Sequence, residues 1–243
     1  MRENGPFSPE LVGAVTAARG RFDRFLFYCY RYYHTYHGLP PVRDQAILVP
    51  TAEEDPAVNL GIFKPFFHAP RGIVYLTPEE QALVEDASGN RGVRSVVIGS
   101  GLDLPEADPA LDFRAKHGLT RPFVLYVGRI DRNKGAVTLF AYFRKLLEEG
   151  GPDVDLVLAG KTVVPIPDHP RIRHVGFITE QEKVAALRQC RLLVIPSPYE
   201  SLSVITLEAW KLGVPVVANA RCKVLVGQCL RSNGGLFYQG YAE

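Results

Sequence analysis

Short runs of β-branched and other apolar residues alternate with segments of helical hydrophobic periodicity along most of the chain. Helices are predicted after Ser8, after Pro56, from Thr77, and over 134–149, 179–189 and 203–212. This alternation is typical of parallel sheets built from strand–helix units, so the predicted fold class is α/β. The strands are predicted at 25–30, Ala46–Val49, Ile73–Leu76, Ser95–Ile98, Phe123–Val127, Asp155–Ala159, Ile172–Val175, Leu192–Ile195, Val214–Ala218 and Leu236–Tyr238.

The clearest helix start follows the third predicted strand. Thr77 is suited to the N-cap, Pro78 to the first helical position, and Glu80 to the capping-box position three residues after the cap. The stretch from Gly99 to Pro105 then breaks the pattern with two glycines, a proline and an acidic residue, as a linker does. We therefore predict a domain boundary here, with domains over 1–102 and 103–243.

Composition narrows the class of protein. With 243 residues, 47% of them hydrophobic, the chain has enough apolar material for a real core, and its net charge of +2 does not favour nucleic acid as a partner. The cysteines, at 29, 190, 222 and 229, lack the spacing of a zinc site and indicate reduced thiols in the cytoplasm. No apolar run approaches the roughly 20 residues of a membrane span, which leaves peripheral attachment at the inner membrane face open.

A phosphate site is suggested where the strand Phe123–Val127 runs into Gly128, Arg129 and Lys134. In α/β sheets, ligands lie beyond the carboxyl ends of strands, where helix N-termini direct free N–H groups at anions. Arg129 offers a planar fork and Lys134 a compact charge, while glycine allows close approach of the backbone. The alternative is a surface loop whose basic residues are solvated or pair with Asp131.

A pair of carboxylates follows the strand Leu192–Ile195. Glu200 and Glu208 would lie roughly 80° apart on one continuous helix, but with Glu200 in the loop both can face one crevice. Each carboxylate can accept hydrogen bonds from the two hydroxyls of a sugar diol. Backbone N–H groups of Ser201, Leu202 and Ser203 are further donors at the helix start. The alternative pairs Glu208 with Lys211 on the helix surface.

These residues carry a family resemblance. The segment from Pro196 to Ala209, followed by Gly213 to Ala218, resembles the E-x7-E region of retaining GT-B glycosyltransferases of the glycogen-synthase and mannosyltransferase type (group 1, family four). The segment from Val127 to Gly135 is similar to the diphosphate-binding motif of that family. The resemblance covers 103–243 well and 1–102 more weakly. It implies two Rossmann-like domains, the second of which binds a nucleotide sugar.

The resemblance also implies a division of roles. Arg129 and Lys134 would bind the diphosphate of a UDP- or GDP-sugar and replace the divalent metal used elsewhere, so that neither a metal nor another cofactor is expected. Glu208 would hold the ribose hydroxyls, and Glu200, with the backbone of Ser201 to Ser203, would orient the transferred sugar. Further donor-binding positions implied by the family are Gly128, Gly160 (with Lys161 beside it), Phe177 and Ile178.

The first domain departs from the family pattern. Where a His-Asp pair is common after an apolar strand, the chain has Glu53 and Glu54. His34 and His37 are the candidates for an acceptor-side role. The aromatic run from Phe25 to Tyr36 is suited to sugar stacking, but a buried strand with its following turn is the favoured interpretation. The first strands and the final helices of the family have no counterpart, so we expect a fragment truncated at both ends.

The leading hypothesis is an enzyme, a retaining and metal-independent hexosyltransferase that moves sugar from a nucleotide sugar to a glycan, lipid or other acceptor. Its expected place is polysaccharide or glycoconjugate biosynthesis. A non-catalytic nucleotide-sugar-binding or interaction module is the alternative from another class. Another GT-B enzyme, such as a nucleotide-sugar epimerase, is the third, and it fits Arg129, Lys134 and the carboxylate pair less well. A phosphorylase of the glycogen type would need a lysine for pyridoxal phosphate, for which the sequence offers no clear candidate.

Overall fold

The computed structural model describes residues 7–241, which fold into two compact units. The first unit runs up to Ser100 and includes Glu200–Leu202, while the second comprises Gly101–Tyr199 and continues from Ser203. Both contain parallel strands linked by helices, which confirms the predicted α/β class.

The first unit is built on a four-stranded parallel sheet in the order β1-β2-β3-β4. Its core is formed largely by aromatic and β-branched side chains, with Tyr30, Phe67 and Tyr75 almost fully buried. A 3₁₀ helix at Pro56–Asn59 precedes α3. The elements are α1 (Pro9–Ala17), β1 (Phe25–Tyr28), α2 (Tyr33–Gly38), β2 (Ala46–Val49), α3 (Phe63–Phe67), β3 (Gly72–Tyr75), α4 (Pro78–Ser88) and β4 (Ser95–Val97).

The second unit has a six-stranded parallel sheet in the order β10-β9-β8-β5-β6-β7. This is the strand order of a doubly wound nucleotide-binding sheet, in which the direction of winding reverses between β5 and β8. The elements are α5 (Phe113–His117), β5 (Phe123–Val127), α6 (Ala136–Glu148), β6 (Asp155–Ala159), β7 (Ile172–Gly176), α7 (Glu180–Gln189), β8 (Leu192–Ile195), α8 (Val204–Lys211), β9 (Val216–Asn219), α9 (Lys223–Ser232) and β10 (Gly235–Tyr238).

Helices cover both faces of this second sheet, which is why its central strands are continuous apolar runs. All five residues of β6 are buried. One face packs against α6 through Leu139, Phe140 and Phe143. The other packs against α5, α7 and α9. Two layers of helices therefore hold the strand ends in fixed positions.

Local signals explain where several helices begin. The Thr77 side chain accepts the Glu80 N–H at 3.1 Å, as predicted, and α7 begins with a complete capping box between Thr179 and Glu182. The Glu80 carboxylate also accepts the N–H groups of Ala52 at 2.7 Å and Leu76 at 2.6 Å. It thereby joins the segments that follow β2 and β3.

Several sequence expectations need correction. The aromatic run is only partly a buried strand and turn, because Tyr33–Gly38 forms α2 and the β1 side chains Leu26 and Tyr28 are exposed. Helix α6 begins at Ala136 rather than Lys134, since Gly135 before it is left-handed. Only a 3₁₀ turn directly follows Pro56. The helices α5 and α9 were not predicted at all.

Candidate functional site

A pocket of about 460 Å³ opens in the second unit, beyond the carboxyl ends of β5, β6 and β7. The first turns of α7 and α8 complete its wall. Strand ends and helix starts meet here because every strand of the sheet is parallel. The lining residues are Val127, Gly128, Arg129, Ala159, Gly160, Lys161, Phe177, Ile178, Glu180, Lys183, Val204, Ile205 and Glu208.

The floor of the pocket is formed by the backbone of neighbouring strand ends, and glycines allow these strand ends to lie close together. Gly160 has φ +134°, and a Cβ there would lie 2.1 Å from the carbonyl oxygen of Gly128. Hydrogen bonds join the same strands, from Gly128 N–H to Ala159 O at 2.9 Å and from Gly160 N–H to Gly176 O at 2.7 Å. Any larger residue at 160 would force these strand ends apart.

The loop after β5 carries the predicted phosphate-binding cations. Arg129 is exposed on the pocket wall, and its Nε donates to Asp131, so the ion pair given as the alternative to phosphate binding is present. Lys134 does not line the pocket; its backbone N–H donates to Asp131 Oδ1 at 2.7 Å. The loop closes through Gly135, where φ is +76° and a Cβ would lie 2.2 Å from Pro196 O.

The carboxylate Glu208 is buried in α8 and faces the pocket. Lys183 Nζ donates to Glu208 Oε1 at 2.8 Å and to Glu180 Oε2 at 2.6 Å. The predicted alternative partner, Lys211, instead donates to the carbonyl of Leu102 at 3.3 Å. Glu208 is thus a buried acid with a buried cation beside it rather than a helix-surface acid.

Lys183 was missed by the sequence analysis, although it lines the pocket with only 12% of its side chain exposed. Burial alone would lower the pKa of Lys183, but the hydrogen bonds and negative charges of Glu180 and Glu208 outweigh it and raise that pKa. The ammonium therefore stays charged. The signal available in the sequence was the capping box at Thr179, which places Lys183 in the first turn of a helix facing the strand ends.

The loop after β7 supplies an apolar wall. Ile178 is partly buried against the core, whereas the Phe177 side chain is 87% exposed beside the pocket. Lys161 lies after β6, where its carbonyl accepts the Ile130 N–H at 2.9 Å. The pocket thus has a backbone floor, a cationic side and an aromatic rim.

The remaining predicted residues lie outside this pocket lining. Glu200, Ser201 and Leu202 form the loop between β8 and α8 and belong to the first unit. Ser203, the N-cap position of α8, is buried, and its hydroxyl oxygen accepts a hydrogen bond from Thr206 at 2.8 Å instead of capping the helix. The roles proposed for these residues stay predictions.

The candidate acceptor-side histidines both lie on α2 of the first unit. The buried Nδ1 of His34 has no hydrogen-bond partner among residues 7–241, and His37 packs against the Tyr33 ring with centroids 4.6 Å apart. Their role also stays a prediction.

A second, larger cavity of about 620 Å³ lies at the amino ends of β8, β9 and β10. It is lined by apolar and small polar residues, including Trp210 and Asn233, without a charged side chain. Because an anionic ligand needs cations or free N–H groups, the smaller pocket is the better candidate site.

Two features of residues 7–241 bear on metals and membranes. Within this range, no three His, Cys, Asp or Glu side chains are grouped to hold a metal ion. Over the same residues, none of the helices combines the length and the apolar character that crossing a membrane requires. Within residues 7–241 the four cysteines form no disulfide, and each is buried or half-buried.

Comparison with known proteins gives a family model, described as glycosyl transferases group 1, that matches residues 109–234. A D-inositol 3-phosphate glycosyltransferase of Mycolicibacterium smegmatis is 32% identical over 200 residues, covering 77% of this chain and 46% of the relative. A phosphatidyl-myo-inositol mannosyltransferase of Propionibacterium freudenreichii is 27% identical over 52% of this chain and 33% of its own. The chain therefore spans less than half the length of these relatives.

Solved structures share the fold. A sucrose-phosphate synthase from Thermosynechococcus elongatus has a TM-score of 0.75 at 22% identity, covering 96% of this chain and 66% of its own. The Anabaena protein HepE, in complex with UDP-glucose, has a TM-score of 0.75 at 18% identity, covering 97% of this chain and 70% of its own. These matches confirm that the α/β architecture is of the predicted GT-B type.

Proposed function

We propose that the chain, which belongs to the group 1 family of glycosyl transferases, is a retaining, metal-independent glycosyltransferase acting on a nucleotide sugar. The donor is a UDP- or GDP-hexose, and the acceptor is a glycan, a lipid or another hydroxyl compound. The observation that carries the proposal is the pocket at the strand ends, where Arg129 and Glu208 face one space over a floor of glycine backbone.

The diphosphate belongs near the loop after β5. Departure of a nucleoside diphosphate leaves negative charge on the leaving oxygen, and fixed cations directed at that charge lower the barrier. Arg129 lines the pocket and Lys134 begins the turn into α6. Hydrogen bonds to charged groups contribute about 1.5–3 kcal/mol each, which gives these side chains enough effect to take the place of a metal ion.

The ribose belongs at Glu208. Its carboxylate uses Oε1 for Lys183, and a carboxylate has about four lone-pair positions, so it can still accept from a vicinal diol. Lys183 compensates the buried charge and fixes the orientation of the acid. The base then lies toward Phe177 and Ile178, whose side chains form the apolar wall.

The transferred sugar and the acceptor engage the predicted residues outside this pocket. Glu200 and the backbone of Ser201 to Ser203 orient the sugar, and His34 or His37 serves the acceptor. The acceptor hydroxyl attacks from the face that the diphosphate leaves: its oxygen bonds to the anomeric carbon as the bond from that carbon to the phosphate oxygen breaks, and its proton passes to the departing diphosphate. Attack on this face retains the configuration at the anomeric carbon without a covalent intermediate. Carbohydrate and lipid acceptors, the latter implying peripheral membrane association, are both compatible with this arrangement.

Calorimetric titration tests the donor site. UDP is the first ligand to try, because a protein of similar fold is known with UDP-glucose; GDP, ADP and the free nucleosides follow, each with and without a chelator. We expect micromolar to millimolar binding of one diphosphate, unchanged by the chelator. No binding of any diphosphate contradicts the donor site, and binding lost with the chelator contradicts the metal-free mechanism.

Two substitutions assign the roles. Lys134→Ala should weaken the diphosphate roughly tenfold and leave the nucleoside unchanged, because a charged contact is worth about 1.4 kcal/mol or more. Glu208→Gln should weaken the binding of both ligands, because both contain ribose.

An assay for hydrolysis of the sugar donor, monitored by chromatography, distinguishes an enzyme from a binding module. A chain that binds the donor without turning it over supports the binding module.

A further inference from the structure

A single buried carboxylate lies behind both predicted diphosphate-binding residues. Asp131 is 7% exposed; its Oδ2 accepts from Arg129 Nε, and its Oδ1 accepts the Lys134 N–H at 2.7 Å. We propose that Asp131 is a positioning residue that fixes the Arg129 guanidinium toward a diphosphate, an inference that rests on the proposed function. Asp131 acts through Arg129 and does not itself contact the ligand.

The surroundings of Asp131 make it a rigid support. Its own carbonyl accepts the Ala136 N–H at 3.1 Å where α6 begins, and the preceding residue, Ile130, is fully buried. The backbone of Arg129 is fixed as well, because the Tyr126 hydroxyl donates to its carbonyl at 2.7 Å. The loop therefore holds the carboxylate in place from both sides.

The hydrogen bond to Asp131 occupies only one edge of the guanidinium. A guanidinium has five N–H donors in a planar fork, so a bond through Nε leaves donors of the two terminal nitrogens to face a phosphate. The Arg129 side chain is 60% exposed, and a long exposed side chain loses conformational freedom when it binds. Holding Arg129 beforehand reduces that cost.

Electrostatics alone predicts the opposite effect. Asp131 adds a negative charge close to the position proposed for the diphosphate, so removing that charge should strengthen anion binding by simple Coulomb attraction. If positioning outweighs repulsion, removing the charge weakens binding instead. The two explanations therefore differ in the sign of a measurable change.

Asp131→Asn separates positioning from the structural role of the turn. The asparagine oxygen can still accept the Lys134 N–H, but its amide group is a donor and cannot accept from Arg129 Nε. We expect UDP or GDP, whichever the wild type binds, to bind roughly tenfold more weakly, with unchanged affinity for the matching nucleoside. Unchanged or tighter diphosphate binding would overturn the proposal.

A double-mutant cycle shows whether the effect passes through Arg129. Calorimetry with the same ligand should show that Asp131→Asn no longer weakens binding once Arg129→Ala is present, and that the lost repulsion leaves binding equal or tighter. Equal losses in both backgrounds would mean that Asp131 acts independently of Arg129 and would overturn the proposal. Thermal unfolding of each variant confirms that the loss is not a loss of fold.

The second unit offers a matched control. Asp155 is also a buried aspartate, 2% exposed, and accepts from an arginine, Arg171 Nε, at 2.7 Å. It lies at the start of β6, whereas the pocket lies beyond the end of that strand. Asp155→Asn should leave diphosphate affinity unchanged, and a tenfold loss there would assign the effect to general destabilisation.

Wild-type titrations keep the two proposals distinguishable. Binding of a nucleoside diphosphate to the wild type supports the proposed function, whatever effect Asp131→Asn has on affinity. The ratio of the affinity of the variant to that of the wild type then decides the role of Asp131. Inorganic pyrophosphate is the second probe, since it needs the cations but not the ribose site. If only pyrophosphate binds, the proposed function fails while the variants still test Asp131; if neither binds, both proposals are overturned.

Discussion

Lys183 Nζ lies 2.8 Å from Glu208 Oε1, and this contact joins the first turn of α7 to the middle of α8 at the wall of the pocket. The side chains are 12% and 8% exposed, so water screens the pair little. A buried ion pair of this kind is costly to break, because removing one partner leaves the other charge unpaired.

Lys183→Ala should therefore destabilise the protein by about 3 kcal/mol, measured by urea unfolding. The double variant Lys183→Ala, Glu208→Gln should recover part of this loss, because the remaining acid is then neutral. Lys211→Ala, on the exposed end of α8, is the control and should cost less than about 0.5 kcal/mol. A loss as large in the control would assign the effect to general destabilisation of α8 and contradict a specific cost of breaking the ion pair.

Gly135→Ala should destabilise the protein more than Gly213→Ala. Both glycines are left-handed, at φ +76° and +74°, so both substitutions cost about 1–2 kcal/mol of backbone strain. Only at 135 would the new Cβ also meet backbone, 2.2 Å from Pro196 O; at 213 it would meet nothing within 4 Å. In thermal unfolding we expect Gly135→Ala to lose about 2 kcal/mol more stability than Gly213→Ala. Equal losses of stability would contradict the close approach of Gly135 to the backbone that follows β8.

Phe177→Ala should reduce nucleotide affinity without affecting stability. The side chain is 87% exposed at the pocket rim, so its removal should change unfolding by less than about 0.5 kcal/mol. Loss of an aromatic contact to the base should weaken nucleoside binding roughly fivefold by calorimetry. Leu236→Ala removes another exposed apolar side chain, on β10, and should leave affinity unchanged. Unaltered affinity in Phe177→Ala would mean that backbone groups alone hold the base.

Stability should fall as pH rises toward neutrality because of Glu80. Burial raises the pKa of this carboxyl to about 7, although backbone N–H groups of Leu76, Ala52 and Thr77 lower it. The folded state therefore holds a proton that the unfolded chain has lost above its ordinary pKa of 4.5. Between these pH values unfolding releases the proton, so the stabilisation is complete below 4.5 and is lost as pH rises to about 7.

Thermal unfolding from about pH 5 to 8 checks this dependence. The contribution of Glu80 should decline by up to about 3 kcal/mol, and Glu80→Gln should remove that decline from the profile. Glu10→Gln, in the exposed first turn of α1, is the matched control and should follow the wild type. A profile that is the same in wild type and Glu80→Gln would contradict the raised pKa.

The sequence predicted the elements that form the second sheet closely. β5, β6 and β8 have the predicted bounds, because buried parallel strands are continuous apolar runs between glycines, prolines and polar residues. Helix α7 begins one residue after its predicted start at Thr179, which is instead the N-cap. Helix α5 was missed because five residues are too few for a periodic pattern, and α2 because aromatic residues suit a strand equally well. Helix α9 does have an amphipathic pattern, with Val224, Leu225 and Cys229 buried, and was overlooked.

The sequence by itself determined which residues follow the strand ends, and so placed Gly128, Arg129, Gly160 and Glu208 near one edge of a parallel sheet. Tertiary structure decided their partners. Glu208 pairs with Lys183, 25 positions away, rather than with Lys211, because the packing of α7 and α8 brings their side chains together where water has little access. Periodicity and caps are local, whereas such pairings depend on how helices pack over a sheet.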